Sequence, residues 1–552
     1  MTKPGNIHVR WPGDERPLGP QVQGYLHHHG RLLKGAAAGT IFDVGGFDDF
    51  VRVVRECLGQ FSVIVEKDGE IWAAVDRVRS MPLFYACDRQ RLLISDDAYW
   101  VRTQAGDDRP GDVESAELWY MLYVLGPNTL APSVKQLCPG TAIRVFHKGD
   151  DLKVEARQYY RYLQNPPLEG DQESLLGTLE EAMTDAFVRM LDSTRGRQIV
   201  IPLSGGLDSR LVACMLKRLG APRVLAFSYG RRGNDEARVS REMAGRLGYR
   251  WQFVSYKDMN WRDIKLQRHL VNFTRFSSQL SVLPPALEDW LAIGELKRRG
   301  VLEEDAVFCP GHTAGFTSSR RALDAAARTH DEQELADLIL QTHSPRLHWQ
   351  QPDQATLDGM KAHVLDTLHG AARCGRWDAM AMLESWNWYE RQSKRIIHMA
   401  RSYEYWGYQW RTPLWDGLLM DFWGRLPTEH RQNKGLYRTF LRRNSERLFF
   451  GLYSGDALSP AARRGGWTSL PARAWKRQAI GRYYSADKGL ERLLSGSLAA
   501  YLRRVGRRAF SSEPVTAPWL LLEKLGVEGI WQADAAGQGG LNERTKVPCP
   551  AL

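Results

Sequence analysis

The sequence predicts a two-part α/β protein: a β-rich first part, then a parallel sheet flanked by helices that ends in a helical region. Three observations predict it. Short β-forming runs joined by tight turns fill the chain to about Tyr162. Strand-like and helix-like segments alternate from Ser174 to Leu247. Beyond Asp331 the pattern is mainly helical and rich in Trp and Arg. At 552 residues, 43% of them hydrophobic, the chain is too long for one ordinary domain, and two are expected, 1–165 and 166–552.

In the first part, Phe61 to Val65 and Ile71 to Val75 are β-rich, and Lys67-Asp68-Gly69 between them is a hairpin turn signal. Leu83 to Ala86 and Leu92 to Ser95, joined by the polar run Asp88 to Arg91, form a second such unit. Asn165 to Gly170 has linker composition. Ser174 to Met190 then carries apolar residues at helical spacing. Ile199 to Leu203 is a short buried strand, Leu211 to Leu219 a helix, Val224 to Ser228 a strand and Ala237 to Leu247 a helix. Such alternation builds a parallel sheet.

Composition narrows the function classes only a little. There are 75 Lys and Arg against 64 Asp and Glu, a net charge of +11, which favours polyanions, acidic substrates or an anionic membrane surface. The seven cysteines form no C-x-x-C pair, so neither a zinc cluster nor a disulfide framework is expected. Met1 to Asn6 lacks the apolar core of a signal peptide, and no apolar run reaches membrane-spanning length. The expectation is a cytoplasmic, soluble, reduced protein.

The chemistry concentrates in Ser204-Gly205-Gly206-Leu207-Asp208-Ser209, set between a strand and a helix. Glycines let the backbone turn sharply and approach an anion. The turn presents N–H groups, and the helix start adds a positive dipole end. Ser204 and Ser209 add hydroxyl donors. A carboxylate such as Asp208 has no place against bare phosphate unless a metal ion intervenes, so it argues for Mg²⁺. The lysine of the G-x-x-x-x-G-K-[ST] loop is absent. A glycine turn with a serine helix cap is the plain structural alternative.

These residues resemble the pyrophosphatase loop of the N-type ATP enzymes, and the chain more broadly resembles the asparagine synthetase family. Gly59 to Val63, Asp76 to Tyr85, Leu125 to Leu130, Pro139-Gly140-Thr141 and Tyr159 to Tyr162 are similar to landmarks of that family's glutaminase domain. Phe227 to Gly230, Asn234 to Ala237, Arg411 to Asp416 and Asn433 to Arg438 are similar to landmarks of its synthetase domain. The resemblance implies an Ntn-hydrolase-like β-sandwich followed by a PP-loop domain. It implies MgATP as cofactor, adenylation of a carboxylate and release of AMP and pyrophosphate. ATP and pyrophosphate would meet Leu203, Ser204, Gly205, Gly206, Asp208 and Ser209, together with Tyr229 and Gly311. Asp208 and Asp235 would hold metal. Lys434 would stabilise charge at the α-phosphate.

Two departures shape the expected activity. The family's nucleophilic cysteine follows the initiator methionine; here position two is Thr2, and the first cysteine is Cys57, in a helix-like stretch. The first part is therefore expected to be a scaffold without glutaminase activity, with the amine coming from free ammonia, a partner glutaminase or a substrate. The family's acidic S-G-E-G-x-D-E loop is replaced by Pro310-Gly311-His312-Thr313-Ala314-Gly315-Phe316. His312 stands at the first glutamate and Gly315 near the aspartate; a near-neutral imidazole suits a general base, and a loop histidine with no chemistry is the equal alternative. Glu390, on a helix with Trp388 and Gln392, is a candidate to orient His312 or the nucleophile, though a surface carboxylate is the plainer reading.

The variant loop, with Tyr403 to Gly407, resembles members associated with bacterial polysaccharide synthesis, which implies a sugar carboxylate as substrate. β-Lactam synthetases and lasso-peptide cyclases share the scaffold and offer an intramolecular ligase as the alternative. From Asp456 to Phe510, twelve basic residues face three acidic ones, a net of +9. That suits peripheral membrane contact or a solvated helix face. No nucleic acid is expected, although a nucleic-acid-modifying enzyme and an inactive scaffold are the competing classes.

Overall fold

The computed structural model describes residues 7–10, 20–162, 166–230, 232–256, 264–283, 287–313, 320–344, 347, 351–369, 378–431, 434–452 and 530–531. Thr2, Gly315 and the basic segment 456–510 lie outside the described residues.

The first part carries two sheets. Six antiparallel strands run in the order Asp151–Gln158, Thr141–Lys148, Glu70–Val75, Leu58–Lys67, Gln21–His28 and Arg31–Lys34. Four shorter strands, Ile7–Arg10, Leu92–Ser95, Phe84–Cys87 and Lys135–Gln136, form the second. The expected hairpin is present: Asp68 and Gly69 both take positive φ, +52° and +78°, the backbone of a two-residue primed turn. Alternation along the strands assigns the faces. Ile64, Ile71, Ala73 and Val75 pack with Leu83 and with Leu92 and Ile94 of the smaller sheet. Val63, Val65, Trp72 and Ala74 point the other way, towards Phe47, Phe50 and Val54 of the helix Phe47–Glu56.

The second part is built on five parallel strands in the order Arg250–Ser255, Val224–Gly230, Ile199–Pro202, Val307–Phe308, Gln409–Trp410. Ile199–Pro202 is central. From it the chain first builds outward on one side, through Val224–Gly230 and Arg250–Ser255. It then returns to place Val307–Phe308 on the other. The reversal puts the switch point of the sheet at the carboxyl ends of Ile199–Pro202 and Val307–Phe308, the place where open α/β sheets bind ligands. A helical cluster, with Glu332–His343, Gln354–His369 and Ala379–Asn387, packs against Tyr120, Met121 and Tyr123 of the first part.

The sequence landmarks near Asp76 prove to be the seam between the two parts. Buried Asp76 accepts hydrogen bonds from the backbone N–H groups of Phe61 (2.9 Å) and Val78 (2.9 Å), shaping the turn after the strand. That turn aims Arg77 at Asp421 (2.8 Å) and at the Gly417 carbonyl (3.0 Å), with its guanidinium over the Tyr160 ring. Arg411 and Asp416 are also structural. Arg411 is buried, donates to Ser193 Oγ (2.7 Å) and covers the Tyr25 ring, while Asp416 takes a two-pronged pair from Arg189.

Candidate active site at the switch point of the parallel sheet

Strand Ile199–Pro202 runs into buried Leu203, whose N–H donates to the Phe227 carbonyl (2.9 Å). The chain then turns through Ser204, Gly205 and Gly206, and the helix Leu207–Arg218 begins with Gly206 as its N-cap. That start is four residues earlier than apolar periodicity predicts, because the first turn, Leu207-Asp208-Ser209-Arg210, is mostly polar and carries no apolar repeat. Asp208 and Ser209 thus stand in the first helical turn, where the macrodipole is positive. Ser204 Oγ and Ser209 Oγ share a hydrogen bond (3.0 Å). Ser209 Oγ accepts from the Ser204 N–H (3.1 Å), and Ser204 Oγ accepts from the Gly206 N–H (3.2 Å). The hydroxyls close the loop on itself. Behind it, buried Arg210 donates to the Gly206 carbonyl (3.1 Å) and the Leu452 carbonyl (3.0 Å). Sequence reasoning missed this brace; an arginine directly after the loop, in a segment that must be buried, was the available signal.

Lys434 meets this loop. Its Nζ lies 3.6 Å from Asp208 Oδ2, and the Tyr437 hydroxyl donates to Asp208 Oδ1 (3.1 Å). Lys434 is the N-cap of the helix Gly435–Arg443 and takes φ +57°, a left-handed conformation uncommon for a side-chain-bearing residue. Tyr437, three residues on and so on the same helix face, also lies under the ammonium, 5.6 Å from the ring centroid.

The segment after Val307–Phe308 packs on the loop. Gly311 presses against the helix start: a Cβ there would stand 2.5 Å from Ser209 N and 2.6 Å from Ser209 Cα. Only glycine permits that approach. His312 follows, with Nδ1 buried and without a hydrogen-bond partner among the described residues. Burial pulls its pKa down to about 4, so the near-neutral titration expected of it is not what this site produces; the ring stays neutral across the physiological range. Thr313 Oγ1 donates to Gln392 Oε1 (3.5 Å) on the segment Trp388–Ile396, where the expected helix is a π-helix. Such wide turns recur at functional sites.

Glu390, on that π-helix, is neither a surface carboxylate nor a partner of His312. It is 0% exposed; Oε2 pairs with Lys394 Nζ (2.6 Å), itself 1% exposed, and Oε1 accepts from the Gly126 N–H (2.9 Å). Lys394 also donates to the Val124 and Gly126 carbonyls (3.1 and 2.6 Å). The i, i+4 spacing of Glu390 and Lys394 was visible in the sequence, but their burial was not.

Tyr229 ends the strand Val224–Gly230, stacks on Tyr256 (5.6 Å) and hydrogen-bonds buried Asp289, which also accepts from Tyr403 (3.0 Å). Asp235 lies on the exposed first turn of the helix Asp235–Leu247 and pairs with Arg238 (3.6 Å). Mg²⁺ is bound by one or two carboxylates together with phosphate oxygens, and Asp208, held by Lys434 and Tyr437 at the loop, fits that part.

A cavity of about 240 Å³ lies elsewhere, lined by Gly126, Asn128, Arg161, His363, Trp386 and Tyr389 among others; no loop residue lines it. The five described cysteines are all free. Cys57 follows the helix Phe47–Glu56 rather than lying within it, and burial pushes its thiol up to about 12. Cys87 is raised to about 11, Cys214 and Cys309 to about 12, and Cys138 is raised as well.

A parallel α/β sheet with a glycine–serine loop, a carboxylate and a lysine at its switch point has the architecture of an ATP-using ligase. Residues 178–449 match the family model for asparagine synthase, which supports an ATP-dependent amidotransferase or ligase family. Among solved structures, an NH3-dependent NAD synthetase from Campylobacter jejuni subsp. jejuni is 14% identical, over 38% of this chain and 98% of that one, with a TM-score of 0.20. An NMN synthetase from Francisella tularensis is 15% identical over 41% and 97%, also with a TM-score of 0.20. A glutamine phosphoribosylpyrophosphate amidotransferase from B. subtilis is 8% identical over 55% and 64%, with a TM-score of 0.17. No curated protein matches the sequence.

Proposed function

We propose that this protein forms an amide bond through an acyl-adenylate. A substrate carboxylate oxygen attacks the α-phosphorus of MgATP, the bond to the β-phosphate oxygen breaks, and pyrophosphate leaves. An amine nitrogen then attacks the acyl carbon, AMP departs with the electrons of the C–O bond, and the amine loses its proton. The observation that carries this reading is the convergence of Lys434 on Asp208 at the start of the helix after the Ser204–Ser209 loop.

Ser204, Gly205, Gly206 and Ser209 supply donors for the departing pyrophosphate. Asp208 holds Mg²⁺ when it is bound, and Mg²⁺ would draw charge off the leaving group. Lys434 places an ammonium where charge grows in the transition state, at no reorganisation cost. Leu203, Tyr229 and Gly311 border the nucleotide. His312, kept neutral, is an acceptor for the amine's proton, a weak one given its low basicity. Glu390 has no part in the chemistry.

The first part, in this reading, is an Ntn-type scaffold without glutaminase chemistry; burial raises the pKa of its described thiols, Cys57, Cys87 and Cys138. The amine is therefore ammonia, ammonia from a partner enzyme, or an amine of the substrate. A sugar or peptide carboxylate suits the altered loop at His312.

The test is pyrophosphate release from ATP over a panel of amino-acid, uronic-acid and peptide carboxylates, with and without ammonia. Carboxylate-dependent AMP and pyrophosphate support the proposal; ADP and phosphate with the productive substrate reject it. Turnover that needs no added amine would identify the intramolecular variant.

A further inference from the structure

The strand Gln21–His28 ends in His28, and the turn that leads to Arg31–Lys34 carries His29. His29 takes φ +47° and Gly30 φ +75°, which folds the His29 ring back beside its neighbour; the two ring centroids are 4.0 Å apart. Both rings aim at Glu56, the last residue of the helix Phe47–Glu56. His28 Nε2 lies 3.3 Å and His29 Nε2 3.7 Å from the same oxygen, Glu56 Oε2. The three ligand atoms lie within 4.8 Å of one another, and no other such trio of His, Cys, Asp or Glu occurs among the described residues.

We propose that His28, His29 and Glu56 form a binding site for a divalent metal ion of the zinc class. Metal–nitrogen and metal–oxygen bonds of about 2.0–2.2 Å set tetrahedral edges of about 3.3–3.6 Å, and the 3.3 and 3.7 Å separations fall close to that range. Two imidazoles and one carboxylate make a borderline donor set that suits zinc. Two imidazolium ions 4.0 Å apart would repel each other, whereas one cation between them satisfies both nitrogens and the carboxylate together. Three protein ligands leave a fourth position for water. The site shares no residue with the Ser204–Ser209 loop. It adjoins the seam, since His27, one residue back, faces Asp192 of the helix Gln172–Thr194 at 3.9 Å.

The ion would pin the hairpin turn to the helix end, so binding should raise the thermal midpoint. The experiment uses the full chain without a histidine tag, dialysed against a chelator and titrated calorimetrically with zinc chloride. His29 is largely exposed, 73%, so His29→Ala leaves the fold intact; Glu56→Gln is the second variant. We expect one zinc per chain, at least tenfold weaker binding in each variant, and a zinc-dependent rise in midpoint that His29→Ala abolishes. Cobalt should give visible absorption bands of a tetrahedral site that the same variant loses. Absence of zinc binding by the wild type, or equal binding by wild type and both variants, overturns the proposal.

Discussion

Lys434 Nζ stands 3.6 Å from Asp208 Oδ2, so a cation from a left-handed N-cap and a carboxylate from the first turn of another helix face each other across the phosphate loop. Replacing Lys434 with Met keeps much of the side chain's reach and removes its charge. Loss of one preorganised electrostatic contact of this kind costs about 10²–10³ in kcat. We expect that loss in pyrophosphate release, with the thermal midpoint nearly unchanged because the pair is partly exposed. A variant that keeps full activity removes Lys434 from the mechanism.

Gly311→Ala puts a methyl group 2.5 Å from Ser209 N, against backbone that cannot swing away. The helix start must shift, and overpacking of this sort costs about 1–3 kcal/mol. Nucleotide binding should weaken severely while the far-ultraviolet dichroism stays that of the wild type. Unchanged affinity would mean that the loop tolerates displacement.

Glu390→Gln or Lys394→Met alone leaves a buried charge uncompensated, at a cost of about 3–5 kcal/mol. Replacing both with apolar residues of similar size should recover much of that. Denaturation midpoints of the three variants test the pair as a structural element; a selective loss of catalysis with stability intact would contradict it.

His312 is depressed from its ordinary 6.5 to about 4 in the folded protein. Between those values the unfolded chain binds the proton that the folded chain refuses, so this residue's contribution to stability falls as pH drops from about 6.5 to about 4. His312→Asn should therefore flatten the acid side of the stability curve in that window and leave it unchanged above pH 7. Parallel curves for wild type and variant would mean that His312 is solvated.

Much of this was legible beforehand. The strand, loop and helix around Ser204 announce themselves through a β-branched run, two glycines and a returning apolar repeat, and the Asp68-Gly69 turn through its required backbone. Lys434 was found by resemblance alone, since nothing in a local pattern tells that a lysine will bend back onto a distant loop. The π-helix at Trp388–Ile396 was invisible because the segment is mostly polar and carries too few apolar positions to tell one helical period from another. Glu390 was misplaced because burial of a charge depends on a partner chain segment, Val124 to Gly126, that sequence spacing does not reveal.

That last network has a mechanical consequence. Lys394 grips two carbonyls of the first part, Trp388 Nε1 donates to the Arg77 carbonyl (2.9 Å), and Arg77 reaches back to Asp421. The charges that hold the second part's π-helix are thus solvated by the first part's backbone, and neither half is complete alone. The whole molecule should melt as a single calorimetric peak. Cutting the chain near residue 168 should yield two fragments that co-elute, and an isolated second half should be insoluble however intact its phosphate loop.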